Sequence, residues 1–232
     1  MNILIDVGAH VGETLSVAFD GRWAFDHVHS FEPDPQCVRE IEARFASQIA
    51  SGRLTIHGAA LGDRDGEVTL AGDNAGGAAS VVPGFIRDQQ RALRVPMIDV
   101  NAFLDAEIPP AAALYMKLNC EGGEIAILDR LCERANLSNF VSVMADFDVV
   151  RVSGGYYQKR RVLKKARARG LPILLAENVM VGKDRLANWF AHYPQLARAA
   201  CAPPVRQTLK RRLRYFLRDM RSALGGHGKN YN

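Results

Sequence analysis

Short apolar runs alternate with polar, glycine-containing turns over residues 1–150, and this alternation predicts buried strands separated by helices. The apolar runs lie at residues 2–5, 27–31, 54–58, 114–118 and 140–150. The segment from Glu13 to Phe19, directly after the first polar turn, predicts a helix. The pattern therefore predicts an α/β sheet, in which ligands bind outside the carboxyl ends of the strands.

The first turn, DVGAHVGET, joins the first predicted strand to the first helix. Gly8 and Gly12 suit a tight turn there, because glycine tolerates positive φ and lets a ligand lie against the backbone. The free N–H groups at the start of the following helix would point at that ligand. A structural turn without a ligand is the alternative at this stage.

The second predicted strand, HVHSF, ends in Glu32 about twenty residues after the glycine turn. An acidic side chain at this distance is placed to accept hydrogen bonds from ribose hydroxyls. The turn lacks the middle glycine of the dinucleotide fingerprint, because Ala9 stands there. Asp6 would repel a pyrophosphate but attract an amino group. S-adenosylmethionine therefore fits this turn better than NAD.

Two later turns add polar residues at predicted strand ends. Leu61 and Asp63, in AALGDRDGEVTL, follow the third strand, where they would lie against an adenine ring. The fourth strand, 114–118, ends in the polar turn NCEGGE. Both turns lie where an open α/β sheet binds its ligand.

Five motifs together resemble the FkbM family of S-adenosylmethionine-dependent methyltransferases. They are DVGAHVGET, SFEPDP, AALGDRDGEVTL, MIDVNAFL and MKLNCEGGEIAILDRL, within about residues 2–147. The resemblance implies a class I, Rossmann-like fold with seven mostly parallel strands and helices on both faces. It also implies methylation of a hydroxyl oxygen on a sugar, a polysaccharide or a polyketide-type alcohol.

The resemblance also implies roles for single residues. Those assigned to the cofactor are Asp6, Gly8, His10, Gly12, Glu32, Leu61, Asp63 and Asn119. Lys117, Glu121, Gly122 and Glu124 match the family's K-I-D-V-E-G-A-E motif. Asn119 departs from that motif, because the family normally has aspartate there. A role as base or metal ligand therefore shifts to Glu121 and to other acids.

Methyl transfer to a hydroxyl needs a group that accepts the proton. Candidate catalytic residues are Glu121, Asp146 and His10. Asp146 and Asp148 lie at the end of the fifth predicted strand and are expected near Glu121, where the three carboxylates would bind Mg²⁺ or a similar cation. The alternative is a pair of solvated or helix-capping aspartates.

The rest of the chain predicts a lid, a sheet edge and a tail. Residues 71–85, with Ser80, suit a mobile lid over the acceptor. A basic helix is predicted from Tyr156 to Arg169, and Tyr156 and Tyr157 at its start are placed to stack on a sugar. Two short strands are predicted after it in LPILLAENVMVG, followed by a helix near 185–193. Residues 1–200 form the predicted catalytic domain and 201–232 a basic amphipathic helical tail.

Charge is uneven along the chain. The tail from Val205 carries eight Lys and Arg against one Asp, or +7, whereas the whole chain of 232 residues carries +5, which leaves about −2 for the remainder. The tail would lie on an anionic membrane surface, pair in a homodimer or pack on the domain. Nucleic acid is disfavoured as a partner, because the turn after the fourth strand lacks the pattern of base-methylating enzymes.

Cysteine usage and the amino-terminal sequence predict a cytoplasmic protein. The four cysteines show no metal-ligand or disulfide spacing, and no signal peptide or membrane span is expected. Two alternatives remain beside the methyltransferase: an NAD(P)- or nucleotide-sugar-dependent oxidoreductase, and a catalytically inactive binding protein with this fold.

Overall fold

The computed structural model describes residues 1–72, 79–82, 91–148, 154–179 and 184–198. Its strands are β1 Asn2–Val7, β2 His27–Phe31, β3 Leu54–His57, β4 Ala60–Gly62, β5 Gly66–Gly72, β6 Ala79–Ser80, β7 Arg91–Asp99, β8 Ala113–Leu118, β9 Phe140–Ala145 and β10 Ile173–Leu175. Its α-helices are α1 Glu13–Ala18, α2 Pro35–Arg44, α3 Ala46–Ala50, α4 Val100–Glu107, α5 Glu124–Leu131, α6 Gly155–Ala168, α7 Ala176–Val179 and α8 Arg185–Phe190. A short 3-10 helix, Pro194–Leu196, follows them.

The main sheet has six strands in the order β10-β9-β8-β1-β2-β3, and every pairing is parallel. Helices cover both faces, so alternate residues of β1 enter two different cores. Ile3 and Ile5 pack in the core with α4 and α5, whereas Leu4 packs with α1 and α8. Burial on both faces explains why the central strands are apolar runs.

The direction of strand connection reverses between β1 and β8. From β1 the chain continues through β2 and β3 to one edge, and from β8 it continues through β9 and β10 to the other. This arrangement opens a crevice at the carboxyl ends of β1 and β8. The fold thus places the loops after these two strands side by side.

A second sheet of four strands lies in the order β4-β7-β5-β6. The β4 and β7 strands are parallel, whereas β5 pairs antiparallel with both β7 and β6. The sequence analysis did not predict this sheet. It is built from the segments between β3 and α4, and it forms one wall of the crevice.

The predicted elements are largely confirmed for the first five runs, with boundaries shifted by a few residues. The predicted helix at 156–169 is α6. Two predictions are not confirmed. In the described residues the main sheet has six strands rather than seven, and the described part of LPILLAENVMVG holds the strand β10 followed by the helix α7, while residues 180–182 lie outside the described residues. The helix predicted near 185–193 ends at Phe190.

The predicted tail, 201–232, lies outside the described residues, as do 73–78 and 83–90, which include most of the predicted lid. None of the helices in the described part of the chain has the length and apolar character needed to cross a bilayer.

Candidate active site

A cleft of about 740 Å³ lies at the carboxyl ends of β1, β2 and β8, beside the second sheet. Six of the residues assigned to the site from sequence line it, namely Gly8, His10, Glu32, Leu61, Asn119 and Glu121. Five others, Asp6, Gly12, Asp63, Asp146 and Asp148, do not line it. The cleft therefore brings together about half of the predicted residues.

The loop after β1 is held tightly against the loop after β8. Gly8 has φ 78°, and its N–H donates to the Phe31 carbonyl at 3.0 Å. A Cβ at Gly8 would lie 1.9 Å from the carbonyl oxygen of Asn119. Only glycine fits at this position, because φ is positive and because the Asn119 carbonyl oxygen leaves no room for a Cβ.

Glu32 fixes the conformation of the β1 loop. Its Oε2 accepts from the His10 N–H at 2.8 Å and its Oε1 from the Asp34 N–H at 2.9 Å. Burial raises the pKa of this carboxyl, although the two N–H groups lower it in part. The residue is 8% exposed and lines the cleft. Its remaining lone pairs are thus held in fixed directions beside the cavity.

The loop after β8 has a similar support. Glu121 and Gly122 adopt positive φ, at 52° and 104°. The fully buried Glu124 carboxylate accepts from the Cys120 N–H at 2.9 Å and from the Gly122 N–H at 3.1 Å. Burial raises the pKa of Glu124. This residue folds the loop but does not line the cleft.

An ion pair joins the two strands beneath these loops. Lys117 Nζ lies 3.0 Å from Asp6 Oδ1 and donates to the Gly8 carbonyl at 2.7 Å. Both side chains are almost completely buried. The cation against Asp6 is therefore Lys117, whereas the sequence analysis placed a ligand's amino group there.

The model of the methyltransferase FkbM domain matches residues 6–154, from the β1 loop to the start of α6. The chain belongs to the FkbM methyltransferase family. Methyl transfer is the reaction this membership implies. Both loops, Glu32 and the second sheet fall within the matched region.

One solved structure similar to this FkbM protein is the methyltransferase FkbM from Methylobacillus flagellatus KT, at 20% identity and a TM-score of 0.37. The alignment covers 56% of this chain and 29% of that one, so the chain spans less than a third of that protein's length. No curated protein matches the chain.

Two of the predicted cofactor residues of this FkbM protein, Gly12 and Asp63, do not line the cleft. Gly12, with φ 88°, caps α1, and a Cβ there would meet the Phe45 ring at 2.7 Å. Asp63 pairs with Arg64 at 2.9 Å, with 43% of its side chain exposed. Gly12 therefore serves packing, and Asp63 lies at the surface outside the cleft lining.

The predicted metal site is not formed by the side chains named for it. Asp146 follows β9, where its N–H donates to the Leu118 carbonyl at 2.8 Å. Asp146, Asp148 and Glu121 do not make a group able to hold a metal ion, and no such group of His, Cys, Asp or Glu occurs in the described ranges. Glu121 and His10 remain as candidate proton acceptors in the cleft lining.

Sequence analysis missed two parts of the cleft. The first turns of α2 contribute Gln36 and Glu40, which are four residues apart and so share one helix face. A helix that starts directly after Glu32 at this edge of the sheet was a sufficient signal for them. The second part is the wall formed by Leu70 and Leu93 of the second sheet, for which the sequence carried no local signal.

Proposed function

We propose that this FkbM protein transfers a methyl group from S-adenosylmethionine to a hydroxyl oxygen of a sugar, a polysaccharide or a related natural product. Membership of the FkbM family supports methyl transfer as the reaction. The choice of donor rests on the charge of the cleft. The choice of acceptor atom rests on the resemblance described above and on the proton acceptors that line the cavity.

The charge of the cleft is the observation that favours this donor. Five carboxylate side chains line it, those of Glu13, Glu32, Asp34, Glu40 and Glu121. Lys117 also lines it, but Asp6 compensates that charge. An excess of negative charge attracts a sulfonium and an ammonium group and repels a pyrophosphate. The cleft therefore disfavours NAD(P) and nucleotide sugars, which the oxidoreductase alternative needs.

Two polar groups fit parts of the proposed donor. Glu32, held by two backbone N–H groups at the end of β2, has lone pairs left for the ribose hydroxyls. The Asn119 Oδ1 atom is buried and has no hydrogen-bond partner among the described residues. A buried acceptor of this kind is stabilised when a ligand N–H donates to it. These residues would hold the donor.

When bound, S-adenosylmethionine supplies a methyl group on a positively charged sulfur, which is an electrophile. The chain's task is then to hold the acceptor hydroxyl in line with that methyl group and to receive its proton. Glu121, at the tip of the β8 loop, and His10, whose Nδ1 lies 3.1 Å from Glu13 Oε1, are the lining residues able to do so.

Calorimetric titration with S-adenosylmethionine, S-adenosylhomocysteine and NAD tests the donor. We expect binding of the first two and none of NAD. Glu32→Gln should weaken binding at least tenfold, because it replaces the charged acceptor beside the ribose. Glu42→Gln is the matched control, since Glu42 is an exposed glutamate of α2, the helix that follows Glu32, and does not line the cleft. Binding of NAD alone, or equal effects of the two variants, would contradict the proposal.

Turnover separates an enzyme from an inactive binding protein. Transfer of a labelled methyl group to a panel of glycosides and polysaccharides should occur, and base treatment should not release the label, as expected for an ether. Donor binding without transfer to any acceptor would favour the inactive alternative.

A further inference from the structure

The second sheet turns one face of its strands toward the cleft. Leu70 of β5 pairs directly with Leu93 of β7, and Gly72 pairs with Ala79 of β6. Residues paired in this way point to the same face of an antiparallel sheet. These four and Val81 all line the cleft. The three larger side chains, Leu70, Val81 and Leu93, form a surface that we term the apolar wall.

The apolar wall and the two polar groups that fit the donor come from different sheets. Glu32 and Asn119 directly follow β2 and β8 of the main sheet, whereas the wall belongs to the second sheet. Leu61, which the resemblance assigns to the adenine, lies on β4 at the edge of the second sheet and pairs with Ile98, five residues along β7 from Leu93. Val81 and Leu93 are only half-buried, so they keep apolar surface in contact with the cavity. Such surface gains free energy when a ligand removes it from water.

A hydrogen bond ties the apolar wall to the loop that carries Glu121. Ser80, beside Val81, is 1% exposed, and its Oγ donates to the Glu121 carbonyl at 2.6 Å. The Val82 N–H donates to the same Oγ at 3.0 Å. This bond spans 41 residues of sequence. The part of the wall at Val81 is therefore held against the loop that carries the candidate proton acceptor.

The charge of the cleft limits what can lie there. Carboxylates outnumber the lining cations among the described residues, and an anion entering the cavity would be repelled by them. An apolar wall also offers no compensating hydrogen bond to a charged group. The carboxylates disfavour anions and the wall disfavours a charge of either sign, so together they select an uncharged molecule.

From these observations we infer that the apolar wall is the acceptor subsite, and that it takes an uncharged hydroxylated molecule with an apolar face against Leu70, Val81 and Leu93. A deoxy sugar, an alkyl glycoside or a hydroxylated natural product belongs to this class, whereas uronic acids and sugar phosphates do not. The inference rests on the proposed function, since it names the acceptor of that reaction.

Direct binding of three probes tests the acceptor subsite. Hexyl β-glucoside, methyl β-glucoside and hexyl β-glucuronide are titrated into protein with and without saturating S-adenosylhomocysteine, and ligand NMR reports binding. We expect the hexyl glucoside to bind at least tenfold more tightly than the other two. Absence of hexyl glucoside binding, or equal affinity for the glucuronide, overturns the inference.

Variants locate the binding site. Leu93→Ser and Val81→Ser should each weaken hexyl glucoside binding about tenfold, as expected for the loss of one apolar contact, and should leave S-adenosylhomocysteine affinity within threefold. Ile49→Ser is the control, because Ile49 is an exposed apolar residue of α3 away from the cleft. Both positions tested are half-buried, so the variants should fold, and circular dichroism checks this.

The outcomes also separate this inference from the proposed function. If the wall variants weaken S-adenosylhomocysteine and not the glucoside, the wall serves the donor and the inference is wrong. If wild-type protein binds no S-adenosylhomocysteine, the proposed function fails. The titration of hexyl glucoside in the absence of S-adenosylhomocysteine still decides whether the wall binds uncharged molecules with an apolar face.

Discussion

The loops after β1 and β8 are built alike, but the glutamates that support them lie in different places relative to the cleft. Each has a non-glycine residue with positive φ, His10 at 51° and Glu121 at 52°. Each is folded around a buried glutamate that accepts backbone N–H groups, Glu32 for the first loop and Glu124 for the second. In both cases burial raises the pKa of that glutamate.

The two glutamates differ in their access to the cleft. Glu32 comes from the neighbouring strand and lines the cavity, whereas Glu124 comes from the helix that follows its own loop and is fully buried. The comparison teaches that the same hydrogen-bonding device can be enclosed in the core or can face a cavity. Only the position of the carboxylate relative to the cavity separates the two cases.

The largest effect is expected where the two loops touch. Gly8→Ala would place a Cβ 1.9 Å from the Asn119 carbonyl oxygen, so the backbone of one loop must move. We expect a loss of about 5 kcal/mol or more in unfolding free energy, or failure to fold. Gly21→Ala is the control, since Gly21 has φ 89° but open space around it. Similar melting temperatures for the two variants would show that the contact between the loops is unimportant.

The next largest effect concerns the ion pair beneath both loops. Lys117→Met leaves the fully buried Asp6 carboxylate without its cation, which should cost roughly 3–5 kcal/mol in urea unfolding. The double variant Asp6→Asn, Lys117→Met should recover much of this loss, because it removes the uncompensated charge. A double variant no more stable than Lys117→Met would contradict this account of the pair.

Two variants test whether Glu32 and Glu124 have different roles. Glu124→Gln should lower the unfolding free energy by about 2 kcal/mol, because the N–H groups of Cys120 and Gly122 lose their charged acceptor. Glu32→Gln should lower S-adenosylhomocysteine affinity more than it lowers stability. Urea unfolding and calorimetry on both variants check the prediction. If Glu32→Gln and Glu124→Gln lose S-adenosylhomocysteine affinity and unfolding free energy in the same proportion, the two glutamates do not differ in role and the prediction is wrong.

The smallest effect is a pH dependence from histidines away from the loops. Burial, with the nearby charges of His27 and His57, lowers the pKa of His29 from 6.5 to about 3. The unfolded chain therefore binds a proton below pH 6.5 that the folded protein does not. Stability should fall as pH falls, by about 1.4 kcal/mol at pH 5.5 for this one group, and stay constant above pH 7.

The loop glutamates titrate with the opposite sign, since their raised pKa makes the folded protein bind protons first as pH falls. The difference between wild type and His29→Leu isolates the histidine contribution. His57, whose pKa burial also lowers although Glu107 opposes this, lies 3.1 Å from His29 and remains in both proteins. A pH profile unchanged by His29→Leu would exclude the histidine as its source.

The central strands and their polar turns could be predicted from sequence because the signals are local. A run such as Ile3 to Ile5 is apolar since both faces of β1 are buried, and Gly8 is glycine because its backbone demands it. The placement of Asp63 could not be predicted. Its exposure depends on how β4 pairs with β7, a contact between residues 37 positions apart, such as Leu61 and Ile98.

The sequence by itself determined the family, the parallel sheet and the two loops at its carboxyl edge, since periodicity, glycine and strand-end residues act within a few positions. Tertiary structure alone decided that Lys117 compensates Asp6, that Ser80 reaches Glu121, and that the second sheet supplies an apolar wall. These contacts join residues far apart in the chain. They form only when the sheets pack, so no local pattern encodes them.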